Sequence, residues 1–279
     1  MSEVSLTEVV DYGAAHLSLP KSALSVFQLA VSEETTNQQL VRAIQVDPGL
    51  AARLLQKVNT PAFSRGAEVT SLEVAVARLG REQLAQLAAV LATAEEVHRL
   101  DCDLYKSQSY ARHSVNVGLI AGKIANRFDL QAESIFVAGL LHDLGKPIEF
   151  HMLGDQMIEV LDQSLFSDEL DLAQAEQEVL GFNHSEVGAA LAQQWNLPGI
   201  IIECIRYHHR PEAAVEHPEA VAAVALANAI EHMEMEDDFE DLEAFRAMAA
   251  RTAHLLPVTL EEALVWRLEA LESAQKLNG

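Results

Sequence analysis

The sequence predicts an all-α protein, a multi-helix bundle with an N-terminal helical subdomain. Hydrophobic residues make up 49% of the 279 residues and aromatic residues only 5%. Alanine and leucine, which favour helices, fill most segments. Helix start and stop signals recur along the chain, and no stretch alternates apolar and polar residues as a half-buried strand does. A chain of this length can also bury a substantial core.

The first hundred residues predict several short helices. Asp47 caps a helix that Pro48 opens. Thr70 and Glu73 form a capping-box pattern before an apolar helix that ends at Gly80, and another helix follows. Helical periodicity is lost over Leu100–Ser107. We therefore place the end of the N-terminal subdomain there, with residues 1–100 as that subdomain.

Residues 101–235 predict the main helical core. Its segments include ARHSVNVGLIAGKIANRF, ESIFVAGLLHDLG and a helix that opens at an Asn183–Glu186 capping pattern. Residues 236–279 are expected to contain an acidic segment and a C-terminal helix that packs back on the core. Eight acids and no Lys or Arg lie between Glu231 and Glu243. This stretch is either a solvated linker or helix face, or an acidic docking surface.

The net charge and the cysteine content limit the classes of function that are compatible with the sequence. A formal net charge of −23 repels nucleic-acid phosphates, which argues against direct nucleic-acid binding. A local cationic pocket for a small phosphorylated ligand remains compatible with that charge. Cys102 and Cys204 form neither a disulfide framework nor a metal motif. No apolar stretch approaches the length of a membrane span, so we expect a cytoplasmic protein with no membrane contact.

The adjacent pair His142-Asp143 is the most informative feature of the chain. An apolar helical run ends at this pair, where the helix dipole is negative and disfavours an acid. A positive group should compensate Asp143. Lys146, three residues further on, is one candidate and a metal ion is the other.

Five of the eleven histidines lie on patterned helices: His113, His142, His184, His208 and His209. Each one alone is typical of a packed core or capping histidine. Together they would be costly to bury unless every ring nitrogen found a partner, and a metal site satisfies them at once. Imidazole and carboxylate ligands suit Fe, Mn, Zn or Ni. Because the ligands come from separate helices, spacing alone does not establish that they converge.

These residues resemble known families. His113 followed by His142-Asp143 resembles the HD superfamily of metal-dependent phosphohydrolases, whose core is an all-helical HD-type bundle. Lys146, His184 and His208-His209 resemble its HD-GYP branch, which hydrolyses cyclic dinucleotides. The whole chain is more similar to the HDOD (HD-related output) domain of bacterial signalling proteins. Three segments in order carry this last resemblance over residues 20–232: DPGLAARLLQKVNTPAF, VTSLEVAVARLG and NHSEVGAALAQQWNLPGIIIECIRYHH.

The resemblance implies a pair of divalent metal ions and assigns their ligands. One position would use His113, His142, Asp143 and a late-helix residue that aligns with Asn228. The second would use bridging Asp143 with His184, His208 and His209. Asp143 and Lys146 would be the catalytic residues, with Lys146 facing the phosphate.

The chain departs from the catalytic pattern at two places. Asn228 stands where relatives have an aspartate, and its neutral amide contributes no charge to the first metal position. Glu231 and His232 follow on the same helical face and either replace that aspartate or point to solvent. The Gly-Tyr-Pro triplet is absent after His209, where the chain reads Arg210-Pro211-Glu212. Cyclic-dinucleotide hydrolysis therefore does not follow from the resemblance.

Three functions are compatible with the sequence. The first is a regulatory signal-transduction protein whose metal site relays ligand binding to a signalling partner on a separate chain. The second is an active metal-dependent phosphohydrolase, a phosphodiesterase acting on a nucleotide or cyclic dinucleotide. The third is a helical scaffold in which the histidines only pack.

Overall fold

The structure is a computed structural model that describes residues 4–17, 21–32, 34–60, 69–166, 172–233 and 239–278. Over these residues the protein consists of fourteen α-helices and one short 3-10 helix, and no strand is present. The predicted all-α fold class is therefore confirmed. In the same part of the chain, no helix combines the length and the apolar character that crossing a bilayer requires.

The helices fall on either side of the break predicted near residue 100. The first group is α1 (Leu6–His16), α2 (Lys21–Val31), α3 (Asn37–Gln45), α4 (Pro48–Val58) and α5 (Leu72–His98). The second group is α6 (Ser107–Arg127), α7 (Ala132–Leu141), α8 (Gly145–Phe166), α9 (Leu172–Leu180), α10 (His184–Gln194), α11 (Gly199–Tyr207), α12 (Pro218–Glu231), α13 (Phe239–Thr252) and α14 (Leu260–Asn278). The 3-10 helix Pro211–Ala213 joins α11 to α12.

Local signals account for most helix boundaries in the first group. The Asp47 side chain accepts a hydrogen bond from the Leu50 N–H at 2.9 Å, and Pro48 occupies the first helical position. The backbone bends at Gly80, whose φ of 73° interrupts α5. The predicted cap at Thr70 is wrong by one residue, because the Ser71 hydroxyl accepts the Val74 N–H at 3.3 Å.

The two groups share one continuous core of buried apolar side chains. Helix α2 packs on α3 and α5, whereas α1 packs on α8 and α10 of the second group. The division into domains at residue 100 stays a prediction. At the other end of the chain, α14 packs against α6 and α12. Residues 234–238 of the acidic segment lie outside the described residues.

Glycines allow two close approaches that position the centre of the second group. A Cβ on Gly139 of α7 would lie 2.9 Å from the Gly118 Cα of α6, so these helices cross at backbone contact. A Cβ on Gly145, the first residue of α8, would lie 2.1 Å from the His184 carbonyl oxygen. The turn that carries Asp143 is therefore held directly against the start of α10.

Candidate metal centre

Four predicted histidines surround the Asp143 carboxylate, which is only 2% exposed. Its Oδ2 lies 3.3 Å from His142 Nε2 and 3.6 Å from His113 Nε2. Its Oδ1 lies 3.3 Å from His184 Nε2 and 3.6 Å from His208 Nε2. Each carboxylate oxygen thus faces its own pair of imidazoles, and the side chains meet although they come from different helices.

On each side of Asp143, neighbouring histidine Nε2 atoms also lie close to one another. His113 Nε2 lies 3.2 Å from His142 Nε2, and His184 Nε2 lies 3.1 Å from His209 Nε2. Histidine and carboxylate ligands sit about 2.0–2.2 Å from a metal, so neighbouring ligand atoms are separated by about 3.0–3.6 Å. The separations around Asp143 fall in that range.

The outer nitrogens of four histidines contact oxygen atoms of the protein. The pairs are His142 Nδ1 with Gly139 O at 2.7 Å, His208 Nδ1 with Ile205 O at 2.8 Å, His184 Nδ1 with Glu176 Oε2 at 2.6 Å and His113 Nδ1 with Glu231 Oε2 at 2.7 Å. A carbonyl or ionised carboxylate can only accept, so each Nδ1 donates its proton. In the neutral ring this leaves the Nε2 lone pair directed at the centre, the arrangement that second-shell partners impose on metal-binding histidines.

Lowered pKa values favour neutral imidazoles at two of these positions. Burial lowers the pKa of His142 to about 3 and also lowers the pKa of His208. Burial acts in the same direction on His184, but the carboxylates of Glu176 and Asp143 together outweigh it and the pKa of His184 rises. The Nε2 atoms of His113 and His142, 3.2 Å apart, are close enough for a proton or a cation to lie between them.

Two buried polar atoms without hydrogen-bond partners indicate that a metal ion fits this centre. Asp143 Oδ1 and His208 Nε2 are buried and have no hydrogen-bond partner. Buried polar atoms without partners are rare in native proteins and require an explanation. A divalent cation would coordinate both atoms, and the imidazole and carboxylate donor set suits Fe, Mn, Zn or Ni.

Lys146 also contacts Asp143, with its Nζ 2.6 Å from Oδ2. Burial opposes ionisation of Asp143, yet neighbouring His142 and Lys146 hold the pKa of this carboxyl group well below its usual range. Because the low pKa of His142 leaves it neutral at pH 7, Lys146 supplies the compensating charge at that pH. The lysine salt bridge and the convergence of histidines are therefore both present at this helix end.

The late helix α12 carries Asn228 and, one turn further on, Glu231, which contacts the candidate ligand His113. Asn228 Oδ1 is buried and lacks a hydrogen-bond partner. Glu231 does not point to solvent: it contacts His113 Nδ1 and accepts a hydrogen bond from Asn116 Nδ2 at 3.2 Å. Burial opposes its ionisation, but these two hydrogen bonds lower the pKa of Glu231 to about 2. His232 is exposed, with its ring centroid 4.9 Å from that of His113.

Two carboxyl groups behind His184 were not predicted from the sequence. Glu176 Oε2 accepts hydrogen bonds from both the backbone N–H and Nδ1 of His184. Glu149 is fully buried, and its side chain lies within 4.8 Å of Glu176 and His184. The signal for Glu176 was present: it lies three residues after Ala173 on the buried face of α9. An acid on a buried helix face requires a partner.

Comparison with known proteins agrees with this architecture. The family model of the HDOD domain matches residues 17–211. An HDOD domain protein of unknown function from Geobacter sulfurreducens has a similar structure, with a TM-score of 0.73, 23% sequence identity and coverage of 98% of this chain and 97% of that chain. A candidate phosphohydrolase from Shewanella amazonensis has a TM-score of 0.75 at 22% identity, covering 99% of both chains.

Curated relatives match over a smaller share of their own length. A Ribonuclease Y from Thermus thermophilus is 30% identical over 217 residues, which is 78% of this chain and 27% of the relative. An uncharacterized protein of Treponema pallidum is 26% identical over 230 residues, which is 80% of this chain and 44% of the relative. The chain thus spans less than half of either relative. Since the family model covers more than half of this chain, the protein belongs to the HDOD domain family.

Proposed function

We propose that this protein is a signal-transduction HDOD protein that holds two divalent metal ions and binds a small phosphorylated ligand at them. His113, His142 and Asp143 Oδ2 would hold one ion, with the Asn228 amide as a further candidate ligand. Asp143 Oδ1 would hold the other, together with His184, His208 and His209. The observation that carries this proposal is the division of the two Asp143 oxygens between separate pairs of imidazoles, at 3.3–3.6 Å.

The residues around the centre prepare it for metal and phosphate. Buried metal ions of this kind act as Lewis acids toward phosphate oxygens. The neutral rings of His142 and His208 are ready to coordinate without first losing a proton. Lys146 keeps Asp143 ionised, and the lysine side chain remains 19% exposed. Its ammonium group can therefore meet an anionic ligand that reaches Asp143 from solvent.

The distribution of the candidate ligands over several helices supports a signalling role. The candidate ligands lie on α6, α10 and α12, in the turn between α7 and α8, and at the end of α11. Occupation of the centre would fix the packing of these helices relative to one another. A ligand that binds better to one arrangement shifts the protein toward it. A signalling partner on a separate chain would recognise that arrangement on the protein surface.

Metal-dependent phosphohydrolysis is the second candidate function. It is favoured by the Lys146–Asp143 contact at 2.6 Å, which places a cation beside the proposed metal ligands to stabilise charge on a phosphate. The similarity to Ribonuclease Y also supports phosphodiester chemistry. Asn228 weakens this candidate because an amide supplies no negative charge. The net charge of −23 favours a nucleotide or cyclic dinucleotide over a long RNA.

Metal analysis tests the proposal. Protein purified without chelator and reconstituted with Mn, Fe or Zn should contain two metal ions per chain. Asp143→Ala should lose both, because it removes the shared carboxylate, whereas His209→Ala should affect only the second position. His254→Ala, which removes an exposed histidine, is the control and should keep both. Absence of metal after reconstitution, or full retention in Asp143→Ala, would contradict the proposal.

A phosphodiesterase assay separates the two candidate functions. The metal-loaded protein is incubated with bis(p-nitrophenyl) phosphate and with a cyclic dinucleotide. Turnover that disappears in Asp143→Ala and Lys146→Ala would establish hydrolysis. Phosphate binding without turnover would favour the regulatory function.

A further inference from the structure

An open cleft adjoins the second metal position. Its volume is about 530 Å³, and His209 forms part of its wall. The acidic and basic side chains of its described lining, apart from that histidine, are Arg210, Arg251 and Glu212. Two arginines and one glutamate give the cleft a net positive charge, although the whole chain carries a charge of −23. A local positive cleft in so acidic a protein is suited to attract an anion.

Arg251 is bound directly to the residue that connects the cleft to the metal centre. Its Nη2 donates hydrogen bonds to the His209 carbonyl oxygen at 3.1 Å and to Glu212 Oε2 at 2.6 Å. The opposite end of His209 faces His184, with the two Nε2 atoms 3.1 Å apart. The Arg251 guanidinium group therefore contacts the backbone of His209, whose imidazole ring lies among the proposed metal ligands.

The chemistry of the cleft matches a phosphate group on a sugar. Arginine presents a planar fork of donors that pairs with phosphate oxygens. Gln177 donates a hydrogen bond from Nε2 to the Gly181 carbonyl oxygen at 2.8 Å, and its amide Oε1 is an acceptor for a hydroxyl. Among the described residues of the lining, His209 is the only one with an aromatic ring, so a base would have little to stack against.

We propose that this cleft is a second phosphate subsite, and that the ligand is a sugar bisphosphate. One phosphate lies at the metal centre and the other lies between Arg210 and Arg251. This inference rests on the proposed function, because the first phosphate requires the metal ions. It adds a requirement that the metal centre alone does not impose: the ligand carries two phosphates at separate positions.

Isothermal titration with a matched pair of probes tests the subsite. Metal-loaded protein should bind fructose 1,6-bisphosphate about tenfold more tightly than fructose 6-phosphate, since a charged hydrogen-bonded contact is worth at least that factor. In Arg251→Ala the affinity for the bisphosphate should fall to that for the monophosphate. Affinity for the monophosphate should stay unchanged, and Arg210→Ala should act in the same direction.

Arg246→Ala is the matched control, because it removes an exposed arginine of the same helix α13 outside the cleft lining. It should retain the preference for the bisphosphate. Equal and measurable affinities of the two probes for protein that contains both metals would overturn the subsite alone, whereas binding of neither probe would contradict the phosphate site at the metals as well. Loss of metal or of monophosphate binding in Arg251→Ala would overturn it too, since the arginine would then only support His209. Protein that takes up no metal would instead refute the proposed function and the subsite together.

Discussion

At the scale of single residues, the centre depends on where each proton lies. Four histidines donate a hydrogen bond from Nδ1 to a protein oxygen, which directs their Nε2 atoms toward Asp143: His113, His142, His184 and His208. Two of these oxygens are backbone carbonyls, at Gly139 and Ile205, and cannot be removed by substitution. The other two belong to Glu176 and Glu231, so the outer partners of His184 and His113 are open to mutation.

Glu149 gives a pH-dependent prediction at this scale. Burial, and then the nearby Glu176, raise the pKa of Glu149 well above its ordinary value of 4.5. Between pH 4.5 and the folded pKa, the carboxyl group is therefore protonated in the folded protein and ionised in the unfolded chain. Its stabilising contribution is complete below pH 4.5 and is lost as the pH rises toward the folded pKa. Glu149→Gln removes this loss.

We therefore expect Glu149→Gln to gain stability relative to the wild type as the pH rises from 4.5 toward the folded pKa of Glu149, by up to about 1.4 kcal/mol per pH unit. Urea unfolding at each pH measures the difference. Glu178→Gln, at an exposed position on the neighbouring helix α9, is the control and should show a difference that hardly changes with pH. A constant difference for Glu149→Gln would show that Glu149 ionises normally in the folded protein.

Asn228 gives a second prediction, for metal affinity. Its buried Oδ1 has no hydrogen-bond partner, and it lies one helical turn before Glu231, which contacts His113. Asn228→Asp should tighten the first metal position about tenfold or more, equal to about 1.4 kcal/mol, because a charged ligand replaces a neutral one. The same variant should be less stable without metal, since its carboxylate is then buried without a partner.

Competition with a fluorescent chelator measures this affinity, and chemical unfolding of metal-free protein measures the stability. Asn196→Asp makes the same chemical change at an exposed position and should alter neither quantity. Unchanged metal affinity in Asn228→Asp would mean that this side chain does not belong to the first position.

At the scale of helices, the contact between α8 and α10 positions the bridging carboxylate. A Cβ on Gly145 would lie 2.1 Å from the His184 carbonyl oxygen, so Gly145→Ala requires the backbone to move. We expect a loss of about 3 kcal/mol or more in the free energy of unfolding, at the upper end of overpacking costs. Metal content should fall as well, because Asp143 and His184 separate.

Gly199 is the matched control for this contact. It is also the first residue of a helix, α11, but a Cβ there meets nothing within 4 Å. Gly199→Ala should therefore keep both stability and metal content in chemical unfolding and metal analysis. If Gly145→Ala were equally well tolerated, the close approach of α8 to α10 would not be needed for the site.

At the scale of the whole molecule, metal binding should stabilise the fold, because its ligands come from helices that are distant in sequence. Free metal at about 100 times its Kd adds about 2.7 kcal/mol for each ion bound. For a chain of this size each ion then raises Tm by about 5–10 °C. Differential scanning fluorimetry with and without metal measures the shift. Asp143→Ala should show none, and an equal shift in that variant would point to metal bound elsewhere.

Local features of the fold were predictable from the sequence because they depend on residues close together along the chain. The caps at Asp47 and Asn183 are present where the residue pattern indicates them. The error at Thr70 is also local, since Ser71 beside it carries an equivalent hydroxyl and caps α5 instead. Apolar periodicity likewise predicted the helices and the break between α5 and α6.

The arrangement of the site required the tertiary structure. The sequence pattern identified the five histidines and Asp143 as candidate ligands. The pairing of each Asp143 oxygen with different imidazole rings follows from how α6, α7, α10 and α11 pack. Nothing in that spacing links Glu149 and Glu176 to His184, and only the packing of α8 and α9 behind α10 brings them close. Caps and periodicity act over a few residues, whereas these contacts depend on helix crossings that glycines at 118, 139 and 145 permit.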